Sequence, residues 1–133
     1  MLDIKMVICV RKDLNMRKGK IAAQVAHASM KVLLDKMITY REIFTIDRTL
    51  SLTEHDPINM WLDDLFTKVV VSVNSEAELL KIYTLAKLKN LPCALIRDAG
   101  KTEFHGEETN TCCAIGPSYT SEIDKITGSL ELL

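Results

Sequence analysis

The chain has 133 residues, of which 47% are hydrophobic and 26% charged, and its formal net charge is −1. These values are typical of one folded domain with an apolar core and argue against intrinsic disorder. No apolar run reaches the roughly 20 residues of a transmembrane helix, and the N-terminus lacks the basic and apolar regions of a signal peptide. We therefore expect neither feature.

Charge is distributed unevenly along the chain. Residues 1–31 carry +5, residues 32–64 carry −4 and residues 65–133 carry −2. A basic N-terminal quarter on a near-neutral chain indicates a local anionic partner. The alternative is a solvated basic face, and the charge count alone does not separate the two.

The first half of the chain predicts a strand, a helix and an unassigned segment. Residues 4–10 form an apolar run with β-branched members, which indicates a buried strand. A largely buried helix is predicted over residues 19–36, whereas residues 37–56 show no clean period. Asp56 before Pro57 predicts the start of a short helix that continues through Leu65.

The second half predicts alternating strands and helices. In chain order they are a strand over 66–73, a helix capped by Ser75 with Glu78, a strand over 93–96 with a turn over 97–100, a strand over 111–115 ended by Gly116-Pro117, and a helix over 121–127. The link between the last two strands is too short for a crossover, so at least one strand is antiparallel. We predict an α/β fold in one domain over residues 1–133, with a single mixed four-stranded sheet and helices on both faces.

Four cysteines lie in apolar, strand-like runs, namely Cys9, Cys93, Cys112 and Cys113. They contain no C-x-x-C pair, and no histidine lies at zinc-ligand spacing from them. We predict free, buried thiols rather than a metal site. Cys112 and Cys113 should point to opposite faces of their strand.

The first helix carries the strongest indication of a site. Lys20, Gln24, His27 and Lys31 fall within about 60° of one another on a helical wheel and form a narrow polar stripe. The helix starts with Arg17-Lys18-Gly19-Lys20, where free N–H groups and cations favour a phosphate. Because P-loop and G-x-G-x-x-G patterns are absent, an RNA phosphodiester fits better than a nucleotide.

A second candidate group follows the third predicted strand. Asp98 ends that strand, and Gly100 permits a sharp turn. If the first and third strands are parallel, Asp98 shares a crevice with the start of the first helix. Thr102, Thr109 and Thr111 would add hydroxyl groups there. The alternative is that Asp98 is only a turn former.

Several blocks in chain order resemble the type 2 peptidyl-tRNA hydrolases. They are KGKIAAQVAHA over 18–28, LPCALIRDAGKT over 91–102, AIGP over 114–117 and IDKITG over 123–128. The resemblance implies a homodimeric α/β enzyme that cleaves the ester between a peptide and the 3′ end of tRNA without a metal or cofactor. It also implies a cytoplasmic location, with mitochondrial forms in some eukaryotes, and no membrane partner.

Carried over by position, the functional residues of that family fall on Lys20, Gln24, Asp98, Thr102 and Thr111, with His27 as a weaker candidate. The chain departs from the family pattern at three places. Arg17 replaces a glycine, the loop before Thr111 is one residue longer, and residues 35–64 form a longer, acidic insertion. The longer loop leaves Thr109 and Thr111 as alternatives.

The chemistry of an ester assigns provisional roles to these residues. Asp98 would orient a water and accept its proton, and Lys20 would stabilise developing negative charge. His27 is the alternative base. Arg17, Lys18, Lys20 and Lys31 would bind RNA phosphates. A catalytically silent RNA-binding or regulatory member of the same fold is the alternative function.

Overall fold

The computed structural model describes residues 3–133. Its elements are β1 (Ile4–Arg11), α1 (Lys18–Leu34), β2 (Ile38–Arg41), β3 (Ile46–Thr49), α2 (Pro57–Asp63), β4 (Lys68–Val73), α3 (Glu76–Leu88), β5 (Cys93–Asp98), β6 (Thr109–Tyr119) and α4 (Thr120–Thr127). A single 3₁₀ turn over Lys12–Leu14 joins β1 to the segment before α1.

Four strands form one mixed sheet in the order β4-β1-β6-β5. β1 is parallel to β4, and β6 is antiparallel to both β1 and β5. β1 and β5 therefore run in the same direction, and their carboxyl ends lie at the same edge of the sheet. This arrangement places the start of α1 and the end of β5 on one side of the molecule.

Two apolar clusters pack on the two faces of this sheet. Met6, Ile8 and Val10 of β1 point to the cluster that includes Trp61 of α2 and the inner face of α1. Val7 and Cys9 point to the other cluster, which α3 and α4 cover. The predicted α/β fold with helices on both faces is confirmed. In residues 3–133, no helix combines the length and apolar character needed to cross a membrane.

The cysteines follow the alternation of the strands. Cys112 belongs to the cluster under α1, and Cys113 belongs to the cluster under α3 and α4. The two side chains therefore point to opposite faces, as predicted. All four cysteines are free thiols, and all except Cys93 are buried.

The prediction of a largely buried first helix is wrong. Gln24, Ala28 and Val32 are its only buried residues, whereas Ala22 and Ala26 are exposed. The inner face of α1 packs against β1, β5 and β6, and the small residues of the outer face remain in solvent. The small apolar residues of α1 therefore did not predict which of its faces is buried.

The predicted end of the last strand at Gly116-Pro117 is also wrong. β6 continues through this dipeptide to Tyr119. Pairing with β1 is irregular between Lys5 and Val7 and is present again at Ser118. Gly116 has a φ of +94°, and a Cβ there would lie 2.7 Å from Lys5 O, so the position needs glycine.

The unassigned segment contains a separate hairpin. β2 and β3 pair in an antiparallel, two-stranded sheet, and all eight of their residues are exposed. Asp56 then caps α2 by accepting a hydrogen bond from Ile58 N at 2.9 Å, as the sequence predicted. The segment over 35–64 thus contains one hairpin and one short helix.

Candidate active site

The centre of the candidate site is an ion pair between α1 and β5. Lys20 lies in the first turn of α1, and Asp98 is the last residue of β5. Lys20 Nζ donates to Asp98 Oδ1 at 2.8 Å. Only 12% of the Lys20 side chain and 14% of the Asp98 side chain are exposed. The pair is therefore shielded, and its interaction is less screened than that of a surface ion pair.

Two further residues after β5 contact the ammonium group. Lys20 Nζ also donates to Thr102 Oγ1 at 2.8 Å. It lies 5.4 Å from the centroid of the Phe104 ring, within the range of a cation–π contact. The loop after β5 thus holds the end of the lysine side chain from two sides.

A buried amide joins Asp98 to the last strand. Gln24 Nε2 donates to Asp98 Oδ1 at 3.3 Å, and Thr111 Oγ1 donates to Gln24 Oε1 at 2.6 Å. Gln24 and Thr111 are both buried. Cys112 Sγ lies 3.3 Å from Gln24 O and donates to it. Thr111 therefore fixes which end of the Gln24 amide faces the carboxylate.

The second carboxylate oxygen is held by the backbone. Gly100 N donates to Asp98 Oδ2 at 2.8 Å. Gly100 has a φ of +81°, and a Cβ there would collide with Glu107 O. This position therefore requires glycine, because any side chain would collide with the loop that returns toward β6.

These contacts set the ionisation of Asp98. The hydrogen bond from Lys20 is the largest cause that lowers the pKa of Asp98 below its ordinary value, and the Gly100 amide, the Lys20 charge and Gln24 act in the same direction. Burial raises the pKa but does not prevail. Asp98 is therefore a stably ionised carboxylate at neutral pH and a weak base.

Other predicted site residues lie outside this network. Thr109 Oγ1 donates to Glu107 O, and His27 is exposed on α1, with no side-chain hydrogen bond to Asp98 among the described residues. Arg17 pairs with Glu103 at 3.2 Å, and Lys31 pairs with Asp35 at 3.0 Å. The network thus unites Lys20, Gln24, Asp98, Thr102 and Thr111.

Sequence reasoning missed three contributors. The Gly100 amide donor, the Cys112 thiol and the Phe104 ring all contact network residues. The sequence indicates Gly100 only as a residue that permits a sharp turn, and Phe104 belongs to none of the predicted motifs. Cys112 carried no signal beyond its position next to Thr111.

The structure defines an α/β protein whose site is a shielded lysine–aspartate pair supported by neutral amide and hydroxyl groups. In residues 3–133, no group of three or more His, Cys, Asp or Glu residues is arranged to hold a metal ion. The site is thus one ion pair with hydrogen bonds to neighbouring amide and hydroxyl groups.

Comparison with known proteins identifies the family. The family model described as peptidyl-tRNA hydrolase PTH2 matches residues 4–133. A peptidyl-tRNA hydrolase from Methanocaldococcus jannaschii is 42% identical over 130 residues, covering 98% of this chain and all of the relative. One from Sulfurisphaera tokodaii is 44% identical, covering 97% of this chain and 98% of the relative. The chain belongs to the peptidyl-tRNA hydrolase PTH2 family.

Proposed function

We propose that this chain is a peptidyl-tRNA hydrolase and that the Lys20–Asp98 network is its catalytic centre. The ester between the peptide and the terminal ribose of tRNA is the bond that is cleaved. The observation that carries the assignment of the site is the unused hydrogen-bonding capacity of the ion pair. The family membership supports the assignment of the reaction.

Counting donors and acceptors shows what the pair has left for a substrate. Within the described residues, Lys20 uses two of its three N–H groups, on Asp98 and Thr102. Asp98 Oδ1 accepts from Lys20 and Gln24, while Oδ2 accepts only from Gly100 among residues 3–133. One donor and one acceptor of opposite charge thus remain. They suit an ester oxygen that gains negative charge and a water that donates a hydrogen bond.

The free donor on Lys20 and the free acceptor on Asp98 define the proposed reaction. Asp98 Oδ2 holds a water, which adds to the carbonyl carbon of the ester while Lys20 stabilises the oxyanion. Collapse of the tetrahedral intermediate breaks the bond between the carbonyl carbon and the ribose oxygen. One proton of the water ends on that ribose oxygen, and the other is released when the peptide acid ionises. Because the pKa of Asp98 is lowered, orientation of the water is its main contribution.

The basic start of α1 is proposed to bind the acceptor end of the tRNA. Arg17 and Lys18 are exposed there, and Lys31 lies about three and a half turns further along α1. Lys31–Asp35 is a solvent-exposed pair that contributes little stability, and the Arg17 side chain is exposed although its partner Glu103 is partly buried. A phosphate can therefore compete for either cation. Each such contact would make tRNA binding weaker as salt increases.

We also propose that the protein acts as a cytoplasmic homodimer and that residues 1–133 form one domain. Both apolar clusters pack on the same sheet, which supports a single domain. The exposed face of α1 offers the small side chains of Ala22 and Ala26 beside the apolar side chain of Met30, a surface that suits contact with a second copy. Sedimentation of the purified protein tests the dimer.

The first test of the function is release of free tRNA from a peptidyl-tRNA with a blocked amino terminus. We expect multiple turnovers by the wild-type protein, unchanged by a metal chelator. Turnover that stops with chelator and returns with added metal would contradict a mechanism based on Lys20 and Asp98 alone. Binding of tRNA without turnover would favour the non-catalytic alternative.

Replacing Thr111 with valine tests how Gln24 is held. The change keeps the volume of the side chain but removes the donor to Gln24 Oε1, so the amide can rotate away from Asp98. We expect kcat/KM to fall by about 10–100-fold and stability to fall by about 1–3 kcal/mol. Thr109→Val is the matched control, because Thr109 donates only to Glu107 O at the surface. Equal losses in the two variants would contradict the proposed role of Thr111.

A further inference from the structure

The β2–β3 hairpin has no structural role that its contacts explain. All eight strand residues are exposed, and the turn places Ile43 at 90% and Phe44 at 96% exposure. A two-stranded hairpin alone is only marginally stable in water. A segment whose strand residues are all exposed and whose tip presents apolar side chains is typical of a binding element.

Within the two strands, the positively charged residues lie on one face of the hairpin and the negatively charged residue lies on the other. Directly paired residues in an antiparallel ladder point to the same side. Arg41 pairs with Ile46, and Arg48 pairs with Thr39, so both arginines lie on one face. Asp47 pairs with Tyr40 on the other face. The two arginines are therefore diagonal neighbours, at a spacing of about 7–8 Å.

These arginines differ from the others in the chain. Arg11, Arg17 and Arg97 each form an ion pair with a carboxylate. Among residues 3–133, neither Arg41 nor Arg48 has a carboxylate within 4 Å. Two guanidinium groups on one exposed face, with their donors unused, fit a polyanion better than a neutral surface.

The position of the hairpin indicates which part of a polyanion it would meet. It follows the C-terminus of α1, and Lys20 is in the first turn of that helix. Fourteen residues separate Lys20 from Leu34, which corresponds to about 20 Å along the helix axis. With the ester at Lys20, the hairpin would contact a part of the tRNA that lies away from the 3′-terminal ribose.

We propose that the β2–β3 hairpin is an arm that binds the double-helical body of the substrate tRNA, and this rests on the proposed function. Arg41 and Arg48 bind backbone phosphates, since proteins recognise paired RNA through its phosphates and shape. The exposed Phe44 ring offers a stacking surface at the tip. The occupant is RNA because the unpaired charges on the face are all positive, whereas a protein partner would need a matching acidic surface.

The test compares a charge reversal on the arm with an equal change elsewhere. The variant is Arg41→Glu/Arg48→Glu, and the control is Lys81→Glu/Lys89→Glu, two exposed lysines at α3 on the opposite side of the sheet. Affinity for uncharged tRNA is measured from low to high salt. Turnover is measured on full peptidyl-tRNA and on a peptidyl ester of the 3′-terminal trinucleotide, which has no stem.

The arm variant should bind tRNA about 10-fold more weakly, and the slope of log affinity against log salt should become shallower by about 1–2. Turnover of the short ester should stay within about twofold of wild type, because the Lys20–Asp98 site is intact. Its kcat/KM on full peptidyl-tRNA should fall with the affinity. The control should bind and turn over close to wild type.

Three results would overturn the proposal that the hairpin binds tRNA. One is affinity and salt slope equal to those of the control variant. Another is an equal loss on the short ester. The last is a changed oligomeric state in sedimentation with unchanged tRNA affinity, which would make the hairpin a protein interface. Because tRNA affinity is measured without turnover, a wild-type protein that cleaves neither substrate would refute the proposed function while the arm remained testable.

Discussion

Asp98→Asn is expected to lower kcat on peptidyl-tRNA by about 10²–10⁴-fold. Asparagine keeps the shape of the side chain but removes the negative charge that pairs with Lys20 at 2.8 Å. Its NH₂ group is a donor where a water would need an acceptor. The loss should appear in kcat more than in KM, because the water is engaged during the reaction and the tRNA is bound by cations.

Asp124→Asn is the matched control for this change. Asp124 also accepts from a lysine, with Lys5 Nζ at 2.7 Å, but it lies on α4 in the opposite layer of the molecule. The control should keep turnover within about twofold of wild type. Activity of Asp98→Asn within about tenfold of wild type would remove Asp98 from the mechanism and leave His27 or substrate-assisted chemistry as the alternatives.

Lys20→Met is expected to lower kcat by about 10²–10³-fold, because it removes the only cation that contacts the Asp98 carboxylate within the described residues. It should also raise the pKa of Asp98, since the largest cause of the lowered pKa is lost while burial remains. Carbon-detected NMR titration of the Asp98 carboxyl measures that change directly. Lys5→Met is the matched control and should leave the Asp98 titration unchanged.

The same pair predicts how stability depends on pH. The pKa of Asp98 is lowered in the folded state, so the stabilising contribution is fully present above the ordinary value of 3.8. It is lost as the pH falls through the lower, folded-state pKa. Wild-type protein should therefore lose part of its resistance to urea below pH 4, and Lys20→Met should not show that part of the loss. Equal acid sensitivity of the two proteins would contradict a stabilising pair.

Much of the site followed from local patterns in the sequence. Apolar runs predicted β1 and β5, and a crevice at the carboxyl ends of parallel strands predicted that Asp98 and the start of α1, with Lys20, lie together. Helical spacing placed Gln24 on the same side of α1 as Lys20. The stripe was not a single surface, however, because Gln24 is buried and His27 and Lys31 are exposed.

The remaining features depend on contacts that local patterns do not encode. The choice between Thr109 and Thr111 depended on the register of β6, in which Asp98 pairs with Thr109 and Thr111 lies next to Cys112 under α1. Exposure of the outer face of α1 depended on which elements pack against it. The sequence did not predict the hairpin because each strand has only four residues, and Ile46–Thr49 lacks the alternation of apolar and polar residues that marks most strands.

The most direct test of the account is the single-turnover rate of peptidyl-tRNA cleavage by four proteins: wild type, Lys20→Met, Asp98→Asn and the double variant. Because the two side chains act as one hydrogen-bonded unit, the double variant should be about as slow as the slower single variant. Losses that multiply in the double variant, or a single variant with a near wild-type rate, would contradict a catalytic centre built on the Lys20–Asp98 pair.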